Sequence, residues 1–311
     1  MSAPDATRDA PTADAHGDTS WVDRTEYPFE THCVGLSAGS VHYVDERPAD
    51  GGRETLLFLH GNPTWSFLYR EPIRALGGEY RCVAPDYLGF GLSEKPDPKE
   101  FPYRPEDHAA VLAEFVEELG LEDLILVVHD WGGPIGLSYA LDNPENVRAL
   151  VVQNTFVWPV DDRLWSRAFS WLAGGPLGRR LCERYDAFTR VVMPLAFADR
   201  SRFPERVRAQ YRHPHDDPAD RTGTWVFPRE IVGETDWLGS LWERRWAIAD
   251  HPALLVWGMK DPAFDAAALR TFEALFRECE TVELDDVGHY VAEEAGDRLT
   301  DAMREFLAGL D

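Results

Sequence analysis

Two apolar runs of strand character, Leu56–Leu59 and Leu124–Val128, each lead directly into a short segment rich in chemistry-bearing side chains. The first segment is His60-Gly61-Asn62-Pro63-Thr64-Trp65 and the second is His129-Asp130-Trp131-Gly132-Gly133. The second has the pattern of a nucleophile elbow, a tight strand-to-helix turn with small residues where the backbone must pinch. Such a turn belongs at the carboxyl end of a strand in an open α/β sheet, where ligands of these sheets bind. Its central residue is Asp130 where the familiar motif has serine. A carboxylate needs no base to become a nucleophile, and its attack on carbon gives an ester that water must then cleave.

The rest of the chain keeps the same rhythm. Val41–Asp45 alternates as a half-buried strand, and Thr55–Leu59 and Arg81–Pro85 follow as strands. Asp86–Ser93 is a Gly-rich turn in which Gly89 and Gly91 allow close backbone approach. Pro105–Leu119 has helical spacing, Gly132–Leu141 is the helix behind the elbow, and Ala149–Gln153 is another strand. The strand Ala253–Trp257, the helix Ala266–Phe276, the strand Glu280–Leu284 and a closing helix Val291–Leu307 complete the pattern. Repeated strand–helix alternation predicts an α/β fold, a mostly parallel sheet flanked by helices. Between these halves the chain is aromatic, helical in pattern and interrupted by Gly174-Gly175-Pro176 and Pro228. The expected organisation is a core domain over 21–155 and 238–311, a helical cap over 156–237, and a disordered acidic tail over 1–20.

The chain resembles the α/β-hydrolases, and most closely the haloalkane dehalogenase family. The resemblance rests on HGNPTWSFLYR from His60, DYLGFGLS from Asp86, HDWGGPIG from His129, WGMKD from Trp257 and VGHY from Val287. It implies the α/β-hydrolase fold with an inserted cap, and hydrolysis of small apolar haloalkanes to alcohol, halide and a proton through an alkyl ester on aspartate. It implies neither cofactor nor metal. The elbow alone is shared with epoxide hydrolases, which use the same Asp/His/Asp set with cap tyrosines as ring-opening donors. Tyr185 and Tyr211 are the candidates for that alternative.

Asp130 is the candidate nucleophile, with an ordinary helix N-cap as the plainer reading. Trp131 follows it in the oxyanion-hole position, and its indole N–H is a lone donor suited to a halide. A core tryptophan is the alternative. Asn62 offers a second backbone donor and a second halide donor, unless it only serves the turn before Pro63. His289 is the candidate base for ester hydrolysis. His60 and His129 read as satisfying backbone groups, and His108 as an exposed residue at a helix start. Asp261 completes the chain order nucleophile, acid, histidine. The other position where relatives keep an acid is Asn154 here, which cannot carry charge, and Asp265, Asp285 and Asp286 read as turn residues. The cap aromatics Phe156, Trp158, Trp165, Phe169, Trp171, Phe188 and Phe197, with Leu195, are expected mostly in the cap's own core.

Formal net charge is −24, and only Lys95, Lys99 and Lys260 are lysines. This excess argues against a nucleic-acid or anionic-membrane partner. It suits a hydrated surface in concentrated salt, and the expectation is a halophile's cytoplasm. No apolar run approaches a ~20-residue span, and the first twenty residues lack the basic start and apolar middle of a signal peptide. A homo-oligomer is compatible with the sequence. His213-Pro214-His215 beside Asp216 and Asp217 reads as a solvated loop rather than a metal site, and the four scattered cysteines as buried thiols.

Overall fold

The computed structural model describes residues 19–49 and 54–310, so nearly all of the expected tail over 1–20 lies outside the described residues. Eight strands form one sheet: β1(His32–Leu36), β2(Gly39–Glu46), β3(Thr55–Leu59), β4(Arg81–Pro85), β5(Leu124–Asp130), β6(Val147–Thr155), β7(Ala253–Gly258) and β8(Cys279–Leu284). Their order is β1-β2-β4-β3-β5-β6-β7-β8. The β1–β2 and β2–β4 pairs are antiparallel and the remaining pairs parallel. Every residue of β3, β5 and β7 is buried, as required of parallel strands covered on both faces. Strand alternation sorts them into two cores. Leu57, Leu59, Leu126 and Val128 face one side, and Leu56, Phe58, Ile125 and Val127 the other.

Helices α1(Arg70–Leu76), α2(Pro105–Glu118) and α3(Gly132–Asp142) join the strands of the first half. Between β6 and β7 the chain runs through α4(Leu164–Gly174), α5(Pro176–Tyr185), α6(Met193–Leu195), α7(Glu205–Arg212), α8(Thr222–Gly233) and α9(Thr235–Arg244). The second half adds α10(Ala266–Leu275), α11(Val291–Glu294) and α12(Gly296–Ala308). The 237/238 boundary falls inside α9. No helix among the described residues is long and apolar enough to cross a membrane.

Three local readings are corrected. The closing helix is two helices, broken at Ala295, because Glu293 and Glu294 turn inward: Glu293 pairs with Arg70, and Glu294 accepts N–H groups from Ala198, Asp199 and Gly288. His108 is buried, packed against Phe101 and Phe227, because the chain from Phe101 covers the start of α2. His215 is also buried, edge-on to Phe90, while His213 alone keeps the solvated pairing with Asp216. Of the cysteines, Cys82 and Cys182 are buried, while Cys33 and Cys279 are half-buried.

Candidate active site

Strand register brings the two segments together. Leu59 of β3 pairs with Val128 of β5, so the loops that follow leave the sheet side by side. Asp130 sits at the turn with φ +50°, a left-handed conformation that non-glycine residues rarely adopt. The close approach depends on glycine. A Cβ on Gly132 would strike the carbonyls of Leu59 and His60, and one on Gly61 would strike the Asp130 carboxylate. The Thr155 hydroxyl donates to the Asp130 carbonyl and braces the strained residue from β6.

The Asp130 carboxylate is buried and held by backbone. The Asn62 N–H donates to its Oδ1 at 2.8 Å, and the Trp131 N–H also donates to the carboxylate. Its Oδ2 lies 3.6 Å from Nε2 of His289. On the other edge of that imidazole, Nδ1 donates to Asp261 Oδ2 at 2.8 Å. Asp261 also accepts from the Asn154 amide at 2.8 Å and from the Ala263 N–H at 2.7 Å. Nδ1 therefore carries a proton, and Nε2 faces the Asp130 carboxylate.

Burial raises the Asp130 pKa above the ordinary carboxylate value, against the pull of His289 and the two backbone donors. Burial acts the other way on His289, but the Asp261 and Asp130 carboxylates outweigh it and hold its pKa above the ordinary imidazole value. Esterification of Asp130 would remove one of those charges. The imidazole would then release its proton more readily, when a base for water is needed.

The other histidines are placed for structure. His60 donates from Nδ1 to the Gly61 carbonyl at 2.9 Å and accepts the Tyr87 N–H on Nε2 at 3.0 Å, with a pKa lowered by burial to about 4. His129 reaches the Gln153 carbonyl. Asp265 caps α10, and Asp286 is an exposed partner of Arg298 and Arg202.

A cavity of about 420 Å³ lies over Asp130. Asn62, Trp131, His289 and Tyr290 line its inner end, and apolar side chains from the β6–β7 segment and from Pro262–Phe264 make most of the remaining wall. Trp131 is fixed edge-on between Phe156 and Phe227, and its indole N–H has no hydrogen-bond partner among the described residues. The Asn62 amide reaches only the Thr224 carbonyl, at 3.5 Å. Of the eight side chains expected mostly in a core of their own, six rather than a few line the cavity: Phe156, Trp158, Trp165, Phe169, Phe188 and Leu195. Of the two candidate tyrosines, Tyr211 donates to Glu293 and Tyr185 is exposed, and neither lines the cavity.

Sequence reasoning missed two supports. Asn154 was set aside because it lacks a charge, yet it holds the charged residue. Its amide donates to Asp261 and its carbonyl oxygen accepts the Gly258 N–H at 2.7 Å. Glu294 ties the His289 loop to the segment after α6 through three backbone N–H groups, and the His289 N–H donates to the Ala196 carbonyl at 2.9 Å. The first was legible in principle from its place after β6. Nothing in the local sequence marks the second.

Residues 54–295 match the family model described as the alpha/beta hydrolase fold, and the chain belongs to that family. It is 40% identical over 281 residues to haloalkane dehalogenase 2 of Mycobacterium tuberculosis, covering 90% of this chain and 95% of the relative. It is 34% identical to the cis-3-alkyl-4-alkyloxetan-2-one decarboxylase of Xanthomonas campestris, over 90% of this chain and 97% of that protein. The crystal structure of haloalkane dehalogenase DatA from Agrobacterium tumefaciens C58 superposes with a TM-score of 0.80 at 25% identity, covering 91% of this chain and 97% of that one.

Asn154→Ala leaves the Gly258 N–H and one side of Asp261 without partners in a buried setting. The expected loss is about 1–3 kcal/mol of stability. Urea denaturation of the two proteins checks it, and an unchanged midpoint would remove Asn154 from this role.

Proposed function

We propose that the protein hydrolyses carbon–halogen bonds in small apolar haloalkanes. The observation that carries this reading is the pair of side-chain donors, Trp131 Nε1 and Asn62 Nδ2, at the inner end of an apolar cavity beside Asp130. In the proposed reaction Asp130 Oδ2 attacks the carbon and forms a C–O bond as the carbon–halogen bond breaks. The halide takes the electron pair and is received by the two N–H donors, which stabilise charge that develops only in the transition state. Water then attacks the ester carbonyl carbon and gives its proton to His289, whose imidazolium Asp261 stabilises. The Asn62 and Trp131 backbone N–H groups hold the oxyanion. On collapse the bond to the alkyl oxygen breaks, and that oxygen takes the proton from His289 to leave as the alcohol. The Asp130 carboxyl gives its remaining proton to solvent and returns to the carboxylate. The 40% identity to a haloalkane dehalogenase supports the assignment.

A second reading has support in the 34% identical oxetan-2-one decarboxylase. Asp130 could open such a strained ring at the carbon bearing oxygen, with a carboxylate rather than a halide as leaving group. Epoxide hydrolysis is weaker, since Tyr185 and Tyr211 lie away from the cavity and only Tyr290 of the tyrosines lines it.

His289→Gln should leave halide release intact for one turnover and stop ester hydrolysis. A brief reaction with a bromoalkane should give a stoichiometric halide burst and a mass increase on Asp130, and the absence of both would sink the mechanism. In the unmutated protein, lowering pH through the His289 pKa should slow ester hydrolysis, because the base becomes protonated, while the burst persists.

Trp131→Phe should slow carbon–halogen cleavage by about 2–4 kcal/mol, on the scale of removing an oxyanion-hole donor. It should also weaken bromide binding. If bromide affinity is unchanged while an oxetan-2-one is consumed, the second reading replaces the first.

We also propose that the acidic surface is adapted to a halophile's cytoplasm. The Debye length falls from about 30 Å at 0.01 M to about 3 Å at 1 M, relieving repulsion within a chain of net charge −24. Melting temperature should rise between those two KCl concentrations. A flat response would overturn this reading and leave the catalytic one untouched.

A further inference from the structure

The cap carries its apolar side outward. On α4, Leu164, Trp165, Trp171 and Leu172 recur at helical spacing and are each more than half exposed. The face of α4 turned to α8 carries Ser170 and Gly174, and a Cβ on Gly174 would strike the Arg229 backbone. Small residues seat the helix, and its bulky ones are left to solvent. On α5, Leu177, Leu181 and Tyr185 extend the exposed stripe at intervals of four. Nine of the ten large hydrophobic side chains exposed among the described residues fall between 164 and 195. Single exposed apolar residues are ordinary, but a contiguous group marks an interaction surface.

The charge of this segment opposes that of the chain. Residues 163–195 contain six arginines against Glu183 and Asp186, within a protein of net charge −24. Beside the stripe, between α4, α5 and α8, is a cleft of about 620 Å³ lined by Arg167, Arg179, Arg229, Trp171 and Trp225. The Arg179 and Arg229 guanidinium carbons stand 4.6 and 5.3 Å from the Trp225 ring centre. Each has one carboxylate neighbour, Glu183 and Glu230 respectively, and Arg167 has none among the described residues. The buried Trp225 indole N–H also has no hydrogen-bond partner there. Guanidinium groups with few carboxylate partners suit a phosphate. The reaction cavity opens on the same side, since Arg163, Trp165 and Leu195 line it and are themselves exposed.

We propose that this face of the cap docks on an anionic phospholipid surface. The α4 and α5 stripes enter the headgroup boundary, a lipid phosphate occupies the Arg167–Arg179–Arg229 cleft, and the cavity mouth meets the acyl region. Tryptophan and leucine flanked by arginine is the pattern of an interfacial helix. A cap-to-cap pair would instead set two arginine-rich faces together. Whole-chain repulsion from an anionic surface is screened within about 8 Å at 0.15 M salt and about 3 Å at 1 M, so the local balance decides contact. Delivery of an apolar substrate from the bilayer rests on the haloalkane reading above. Docking itself does not.

The test is sedimentation of the full chain, without substrate, at 0.15 M KCl with phosphatidylglycerol or phosphatidylcholine vesicles. Binding to phosphatidylglycerol should be at least tenfold tighter. Leu172→Ser/Leu177→Ser/Leu181→Ser and, separately, Arg167→Glu/Arg179→Glu should each weaken it at least tenfold. Both variants should retain the parent's melting temperature and its turnover of a dissolved bromoalkane. Failure of the unmutated chain to sediment with either vesicle would overturn docking. So would a dimer seen by analytical ultracentrifugation that is abolished by the triple serine variant, without vesicle binding. Saturable binding of inorganic phosphate without vesicle binding would assign the cleft to a free anion and overturn the lipid. Vesicle binding by a chain inactive on bromoalkanes would support docking and count only against the haloalkane reading.

Discussion

The burial of one negative charge organises this molecule. Asp130 is closed off from water at the end of a central strand, in a backbone conformation that carries strain, with its carboxylate among groups that compensate the lost hydration. The Asn62 and Trp131 N–H groups and the His289 imidazole supply that compensation, and each comes from a different turn of chain. A carboxylate pushed upward in pKa by burial is a better nucleophile than a hydrated one, so the destabilised state is also the reactive one. The neighbouring glycines, Gly61 and Gly132, exist to let three backbone segments approach that single group.

The support extends outward in layers. Asp261 fixes His289, and Asn154 fixes Asp261 from the end of β6. Glu294 fixes the loop bearing His289 against the β6–β7 segment. The Arg70–Glu293 pair then joins the stretch after the Asn62 loop to the helix after His289, with the Tyr211 hydroxyl as a third member. This pair is buried, where loss of one partner leaves an unpaired charge at a cost of about 3–5 kcal/mol.

What the sequence revealed follows from the range of the interactions concerned. The strands Thr55–Leu59 and Arg81–Pro85 are observed at the residues expected, since an apolar run bounded by polar turns is a local signal. Four of the five candidate site residues, Asn62, Asp130, Trp131 and His289, line one cavity, and Asp261 stands behind His289, because each follows a strand end and strand ends converge in a parallel sheet. The edge strand β1 and the short α1 passed unnoticed, as neither has strong periodicity. His108 and His215 were read as solvated from their polar neighbours, but burial there is decided by segments distant in sequence. The role of Asn154 was legible only from its place after β6, because its partners lie 104 and 107 residues away.

The segment between β6 and β7 shows most clearly why composition alone misleads. Its aromatic residues suggested a small hydrophobic core of its own, yet the contact of α4 with α8 is made by small residues. Small residues can seat α4 on α8, as Ser170 and Gly174 do, and the large ones must then go elsewhere. Six line the cavity and make its wall apolar around the buried carboxylate, where low polarity strengthens every N–H donor. Phe197 is buried against Phe203 and Tyr290, and Trp171 faces out beside arginines that the whole-chain charge conceals. A net charge of −24 describes the field at a distance larger than the screening length. At contact, the relevant charge is that of the face presented, and on this face the sign is reversed.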